Sequence, residues 1–248
     1  MVGAEISYRG NSKLDSLWNK VSEFYTGLES NKAYRKDAMT SGLGHTVHVL
    51  ENIQRLYSQK GGAPSEELLA AAMCHDLGNY AELFNVKKAS NNGDKHQYYS
   101  ALILDEILED EWASQLITIK KLVIAHNLEP ILFKTEDEGI LYTADKLTRL
   151  GTDGFDRLAF ARDYGLADHD EKFEILVEIS SLMDKAYEEI EQLGLMKEYA
   201  KALYDEGKEI VDQEKDKWFK EEEGPEEEEH SEAEEEPDEE DHDEGEEH

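Results

Sequence analysis

The sequence predicts an all-α protein, and three observations carry that expectation. Apolar residues recur at helical spacing in segment after segment of the 248-residue chain. No stretch alternates apolar and polar residues convincingly enough to mark a strand. No internal repeat breaks the chain into units.

Taken in order, residues 12–28 place Leu14, Trp18, Val21 and Phe24 or Tyr25 on one face of an amphipathic helix. A polar connection over 29–44 follows. A second helix from about His45 to Ser58 carries Val47, Leu50, Ile53, Leu56 and Tyr57, and Gly61, Gly62 and Pro64 break it. The next run, EELLAAAMCHDLGN over 66–79, is the centre of the sequence. Ser65 suits its N-cap, Glu66 and Glu67 suit the positive end of a helix, and Gly78 suits the position just past the C-terminus. A helix apolar on nearly every side belongs in a core, yet this one ends in His75 and Asp76.

Residues 85–95 read as a polar loop able to form a rim or lid, and helices follow at roughly 96–110 and 112–126. After a break at Glu129 and Pro130, Ile140, Leu141, Ala144, Leu147 and Leu150 mark a helix closed by Gly151. Two long helices over about 170–193 and 195–218 complete the body. Residues 1–219 are expected to form one helical domain. From 220 onward the chain is Glu and Asp with Gly, Pro, Ser and His, has no apolar face to bury, and is expected to be a disordered acidic tail. Its three histidines, His230, His242 and His248, are too widely spaced for a metal motif.

The formal charge of −33 overstates the acidity of the body. Residues 221–248 hold 19 acids and no base, which leaves 40 acids against 26 bases, or −14, in residues 1–220. An acidic surface disfavours nucleic-acid polymers and anionic membranes but leaves room for a local basic pocket. The single cysteine, Cys74, excludes an intramolecular disulfide and suits a reducing compartment. No run of about 18 apolar residues is present, and the N-terminus has no apolar signal core. A soluble cytoplasmic protein is expected, with its oligomeric state open.

Six residues carry the chemistry. They are His45 in LGHTVHVLENI, His75 and Asp76 in the central run, His96 in HQYYSALILDEIL, His126 in LVIAHN and Asp145 in YTADKLTRLG. The gaps between them are 30, 20, 30 and 19 residues, counting from His45 to His75 and then from Asp76 onward. Each donor therefore comes from a different helix or helix end, which is how helical cores build metal sites. In order and context the set, over roughly residues 40–160, resembles the HD-domain superfamily of metal-dependent phosphohydrolases, of the two-metal type.

The resemblance implies a helical HD bundle with extra terminal helices. It implies divalent transition metal, two ions per chain, with Asp76 presenting one oxygen to each. Imidazole and carboxylate donors suit Fe, Mn, Ni, Co or Zn. Two such cations about 3.5–4 Å apart acidify a water and clamp phosphoryl oxygens, so a metal-bound hydroxide is the expected attacker on a small phosphorylated substrate such as a nucleotide. If His96 and His126 are ordinary helix-end histidines, the site reduces to the one-metal set His45, His75, Asp76 and Asp145. His48 shares the helical face of His45 and could take its place. His169 stands in an acidic turn and reads as structural.

Substrate phosphate requires cations. Lys146 and Arg149 follow Asp145 by one and four residues, so Arg149 shares its face; with Asp76 they form the expected catalytic group. Lys87 and Lys88 in the candidate lid, and Arg35 and Lys36 ahead of His45, are further candidates. One departure stands out. Many two-metal members carry Lys after the Gly of this motif, whereas Asn79 follows Gly78 here. Two other functions remain open: an HD-type di-iron oxygenase using the same donors, and a non-catalytic binding protein with a working acidic tail.

Overall fold

The computed structural model describes residues 10–86 and 95–223, the side chains of 221–223 excepted. The expected fold class holds: ten α-helices and three short 3-10 segments, with no strand among the described residues. The helices are α1 (Ser12–Glu29), α2 (Arg35–Ser41), α3 (Leu43–Lys60), α4 (Glu66–Cys74), α5 (His96–Ile107), α6 (Leu116–Ala125), α7 (Glu136–Leu147), α8 (Gly151–Ala161), α9 (His169–Leu193) and α10 (Lys197–Glu223).

Helix α4 is the axis. Every residue from Leu68 to Cys74 is buried, and α1, α3, α6 and α7 all pack against it. Its N-terminus is capped as expected, with the Leu68 N–H donating to Ser65 Oγ. Helix α3 lies along α7, α5 along α6, and α9 with α10 closes the far side of α7 and α8. Leu50, Ile53, Met73, Leu104, Ile119 and Leu141 fill the common core. Capping boxes at Thr135 and Asp168 start α7 and α9.

Several boundaries differ from the sequence reading. The polar connection 29–44 contains α2, whose Ala38 is buried against neighbouring helices; seven residues with one buried apolar position leave little periodic signal. The central helix does not run to Gly78. It stops at Cys74, and a 3-10 segment over Leu77–Phe84, kinked at Tyr80, carries the chain on. Gly151 does not close a helix but opens α8, a helix absent from the sequence reading. The helix beginning at His96 ends at Ile107, and its successor starts only at Leu116, with a 3-10 turn over Asp110–Trp112 between them. Helix α10 continues to Glu223, past the expected boundary at 219. The candidate lid residues 87–94, including Lys87 and Lys88, and the tail from 224 lie outside the described residues.

Candidate metal centre

All six predicted donors meet in one buried cluster. His45 stands in the first turn of α3, and the Asn52 side-chain amide further along that helix donates to Ala144 O at 3.1 Å, tying α3 to the residue before Asp145. His75 caps α4 and Asp76 follows at φ −102°, ψ 3°, outside helical geometry. That turn is held from both sides by Ser100 of α5, whose hydroxyl accepts from the Gly78 N–H at 2.8 Å and donates to His75 O at 2.5 Å. Only glycine fits at position 78: a Cβ there would stand 2.0 Å from His96 O. His96 opens α5 and His126 caps α6.

The Asp76 carboxylate divides the cluster. Its Oδ2 lies 3.4 Å from His45 Nε2 and 3.7 Å from His75 Nε2. Its Oδ1 lies 3.2 Å from His96 Nε2 and 3.7 Å from His126 Nε2. Asp145 joins the first group, with Oδ1 3.2 Å from His45 Nε2 and 3.9 Å from His75 Nε2. Within each imidazole pair the Nε2 atoms are 3.1 Å (His45 and His75) and 2.9 Å (His96 and His126) apart.

The donor chemistry fits cations. His75 Nδ1 donates to Ala72 O at 2.7 Å and His126 Nδ1 to Val123 O, which leaves the Nε2 lone pair of each ring aimed into the cluster. Two donors each about 2.1 Å from a shared cation stand about 3.0–3.4 Å apart, close to the 3.1 and 2.9 Å of the two imidazole pairs. Burial lowers His45 to about 4, and it lowers His126 as well. Both rings are therefore neutral near pH 7, the ligating form. Burial alone would raise Asp76, but His75, His126, His96 and His45 outweigh it and hold the carboxyl well below the usual range. Asp145 is likewise held low against burial, first by Lys146 and then by His45. Ligand atoms of His45, His75 and Asp76, and separately of Asp76, His96 and His126, lie close enough together to hold an ion.

Residues 42–150 match the family model described as HD domain. Over those residues the chain is an HD domain. No curated protein and no solved structure matches it. The HD domain accounts for α3 to α7, and hence for every donor in the cluster.

A cavity of about 160 Å³ opens on the HD cluster, lined by His45, Asp76, His96, His126 and Asp145 together with Ser41, Asn79, Asn127, Arg149 and Arg157. Arg149 lines this cavity from just past the end of α7 at Leu147. Lys146 is elsewhere: it is buried, its Nζ lies 3.3 Å from Asp145 Oδ2 and over the Tyr142 ring, and it is not among the lining residues. Arg35 and Lys36 also stand away from the cavity, Lys36 paired with Asp163 on the surface. His48 is part-exposed, 4.0 Å from Asp153 and outside the cluster. His169 packs on Trp218. Arg157 escaped the sequence reading because α8 did. Once 151–161 is a helix, Arg157 falls three residues after buried Gly154 and one before buried Leu158, on the inward side.

Proposed function

We propose that this HD domain is a metal-dependent phosphohydrolase that holds two divalent cations and hydrolyses a small phosphate ester, a nucleotide among the candidates. One observation carries the reading. The two oxygens of Asp76 face two separate imidazole pairs, the arrangement expected of a carboxylate shared between neighbouring cations. His45, His75 and Asp145 would hold one ion, His96 and His126 the other. Such ions supply an acidified water and charge to steady phosphoryl oxygens.

The chain's own residues supply the remainder. Burial keeps His45 and His126 unprotonated, so they bind metal rather than protons near neutrality. Lys146, anchored on Asp145 Oδ2, orients that carboxylate from behind and leaves Oδ1 to the cluster. Arg149 faces the cavity as a cation for substrate oxygen. In the net reaction phosphorus gains an oxygen from water, and the ester oxygen leaves with a proton.

Metal analysis of protein purified without chelator, then a phosphate-ester panel with Mn²⁺, Co²⁺ or Ni²⁺, tests the reading. Two metals per chain and hydrolysis that continues without oxygen are expected. Asp76→Ala should lose both metal and activity while keeping its helical circular dichroism. Full activity in that variant would remove the site, and turnover strictly dependent on dissolved oxygen with ferrous iron would put the oxygenase in its place.

A further inference from the structure

The chain carries 59 acids and 26 bases, so its cations are surrounded by carboxylates, and Lys20, Lys36, Lys60, Lys120 and Arg162 all pair with one. Arg149 and Arg157 differ from these five. Both line the HD cavity, and neither has a carboxylate within 4.0 Å among the described residues. Leaving two guanidiniums unpaired in a partly buried wall is costly unless an anion completes them.

Arg157 is also fixed in place. Its Nη1 donates to Thr40 O at 3.2 Å, and its Nη2 donates to Thr148 O at 3.2 Å and to Thr148 Oγ1 at 2.9 Å. These bonds bring α2, the end of α7 and α8 onto one guanidinium plane. Helix α8 reaches that position because Gly154 has no side chain, since a Cβ there would lie 2.4 Å from the Arg149 carbonyl carbon. The bonds use three of the five N–H groups of an arginine, and Nε has no protein acceptor. Neutral hydrogen bonds hold the group, and Asp145 and Asp76 act on its charge only from beyond ion-pair distance.

Charge around the cavity points the same way. Two carboxylates, Asp76 and Asp145, and two guanidiniums, Arg149 and Arg157, line the cavity, with Lys146 behind Asp145. The wall therefore carries no excess of negative charge, and each bound divalent cation would add two further positive charges. Asn79, on the same wall, contributes none. The cavity, at about 160 Å³, is well below the roughly 300–1,000 Å³ of sites that enclose a whole drug-sized ligand. It has no Phe, Tyr, Trp, Leu, Ile or Val among its lining residues to take a base or an acyl chain. A phosphoryl group fits inside; the organic part of the substrate stays at the mouth.

We propose that Arg157, with Arg149, is the phosphate-recognition wall of this HD domain, and that its substrate is a phosphomonoester that enters phosphoryl group first. The substrate class rests on the phosphohydrolase reading above, whereas the anion site stands on the unpaired guanidiniums.

Inorganic phosphate is the direct probe, titrated calorimetrically into the full chain with and without Mn²⁺. Wild-type protein treated with chelator should bind phosphate, and Arg157→Gln should weaken binding at least tenfold, as expected for losing a charged hydrogen-bond donor, with Mn²⁺ content unchanged. Arg157→Lys, which keeps the charge and loses the planar fork, covers the case in which Arg157→Gln does not fold; it should raise KM for p-nitrophenyl phosphate at least tenfold. Lys36→Gln, on the surface, should leave phosphate affinity as it was. Bis(p-nitrophenyl) phosphate should be turned over at least tenfold less efficiently than the monoester. Wild-type phosphate affinity in Arg157→Gln, or wild-type KM in Arg157→Lys, would overturn the assignment while hydrolysis stands. Phosphate binding lost in Arg157→Gln, in a protein that hydrolyses no phosphate ester, would keep the anion site and remove the hydrolase. Preference for the diester would refute the substrate class.

Discussion

Replacing Gly78 with alanine tests how tightly the His and Asp cluster depends on backbone packing. A Cβ at this position would meet His96 O at 2.0 Å, Ser100 N at 2.5 Å and Ser100 Oγ at 2.8 Å. Two of these are backbone atoms in the first turn of α5, so no side-chain rotation relieves the clash. Ordinary contact begins above 3.0 Å, so the His96 carbonyl must retreat by about 1 Å. Overpacking of this kind costs about 1–3 kcal/mol, and displacing the Gly78 N–H from Ser100 Oγ adds about 1 kcal/mol. The sum, about 2–4 kcal/mol, should lower the thermal midpoint by roughly 4–16 °C for a chain of this size. Because His96 rides on the displaced turn, the Oδ1 side of Asp76 should suffer first. Thermal melts in chelator, followed by metal analysis of reloaded protein, should show a lower midpoint and a chain that retains about one metal. Gly139→Ala is the control. Its Cβ would meet nothing closer than 3.8 Å, and a helical Gly→Ala change is neutral or stabilises by roughly 0.5–1 kcal/mol. An unchanged midpoint with full metal content in Gly78→Ala would refute the packing argument.

Two further outcomes are expected. His96→Ala and His126→Ala should each leave about one metal per chain and cut phosphoester hydrolysis by orders of magnitude, whereas His48→Ala, outside the cluster, should change neither; equal loss in all three would refute the division of donors around Asp76. In metal-free protein, His45 is held near 4 in the fold against about 6.5 unfolded, so the unfolded chain binds the extra proton and stability falls as pH drops from about 6.5 through about 4. That difference amounts to about 3 kcal/mol, and the low carboxyls Asp76 and Asp145 act in the same direction at lower pH. Denaturant titrations of wild type and His45→Gln in chelator should show the gap between them shrinking by about this amount between pH 7 and 4; a constant gap would contradict it.

What the sequence determined by itself was the donor chemistry and the helical frame that carries it. Periodicity marks which face of a helix is apolar, so α1, α3, α9 and α10 were legible to within a few residues, and a histidine or aspartate beside a buried run is visible as an anomaly. Periodicity holds little information about a seven-residue helix with one buried position, which is why α2 was missed. Helix α8 was missed because its buried face is partly glycine, Gly151 and Gly154 beside Phe155, Leu158 and Ala159. Gly78 looked like a helix end because a glycine after a helical run commonly is one; the close approach of α5, which the local sequence cannot express, is what requires it. Lys146 and Arg149 were both candidates beside Asp145, yet α7 buries the first and ends at Leu147, and the chain past that end carries the second to the cavity. The resemblance implied an oxygen of Asp76 for each ion, but tertiary structure supplied the geometry in which those oxygens face different imidazole pairs, and it alone decided that Arg157 joins the cavity wall. Both follow from helices distant in sequence converging on one point, and that convergence is set by core packing rather than by the residues that benefit from it.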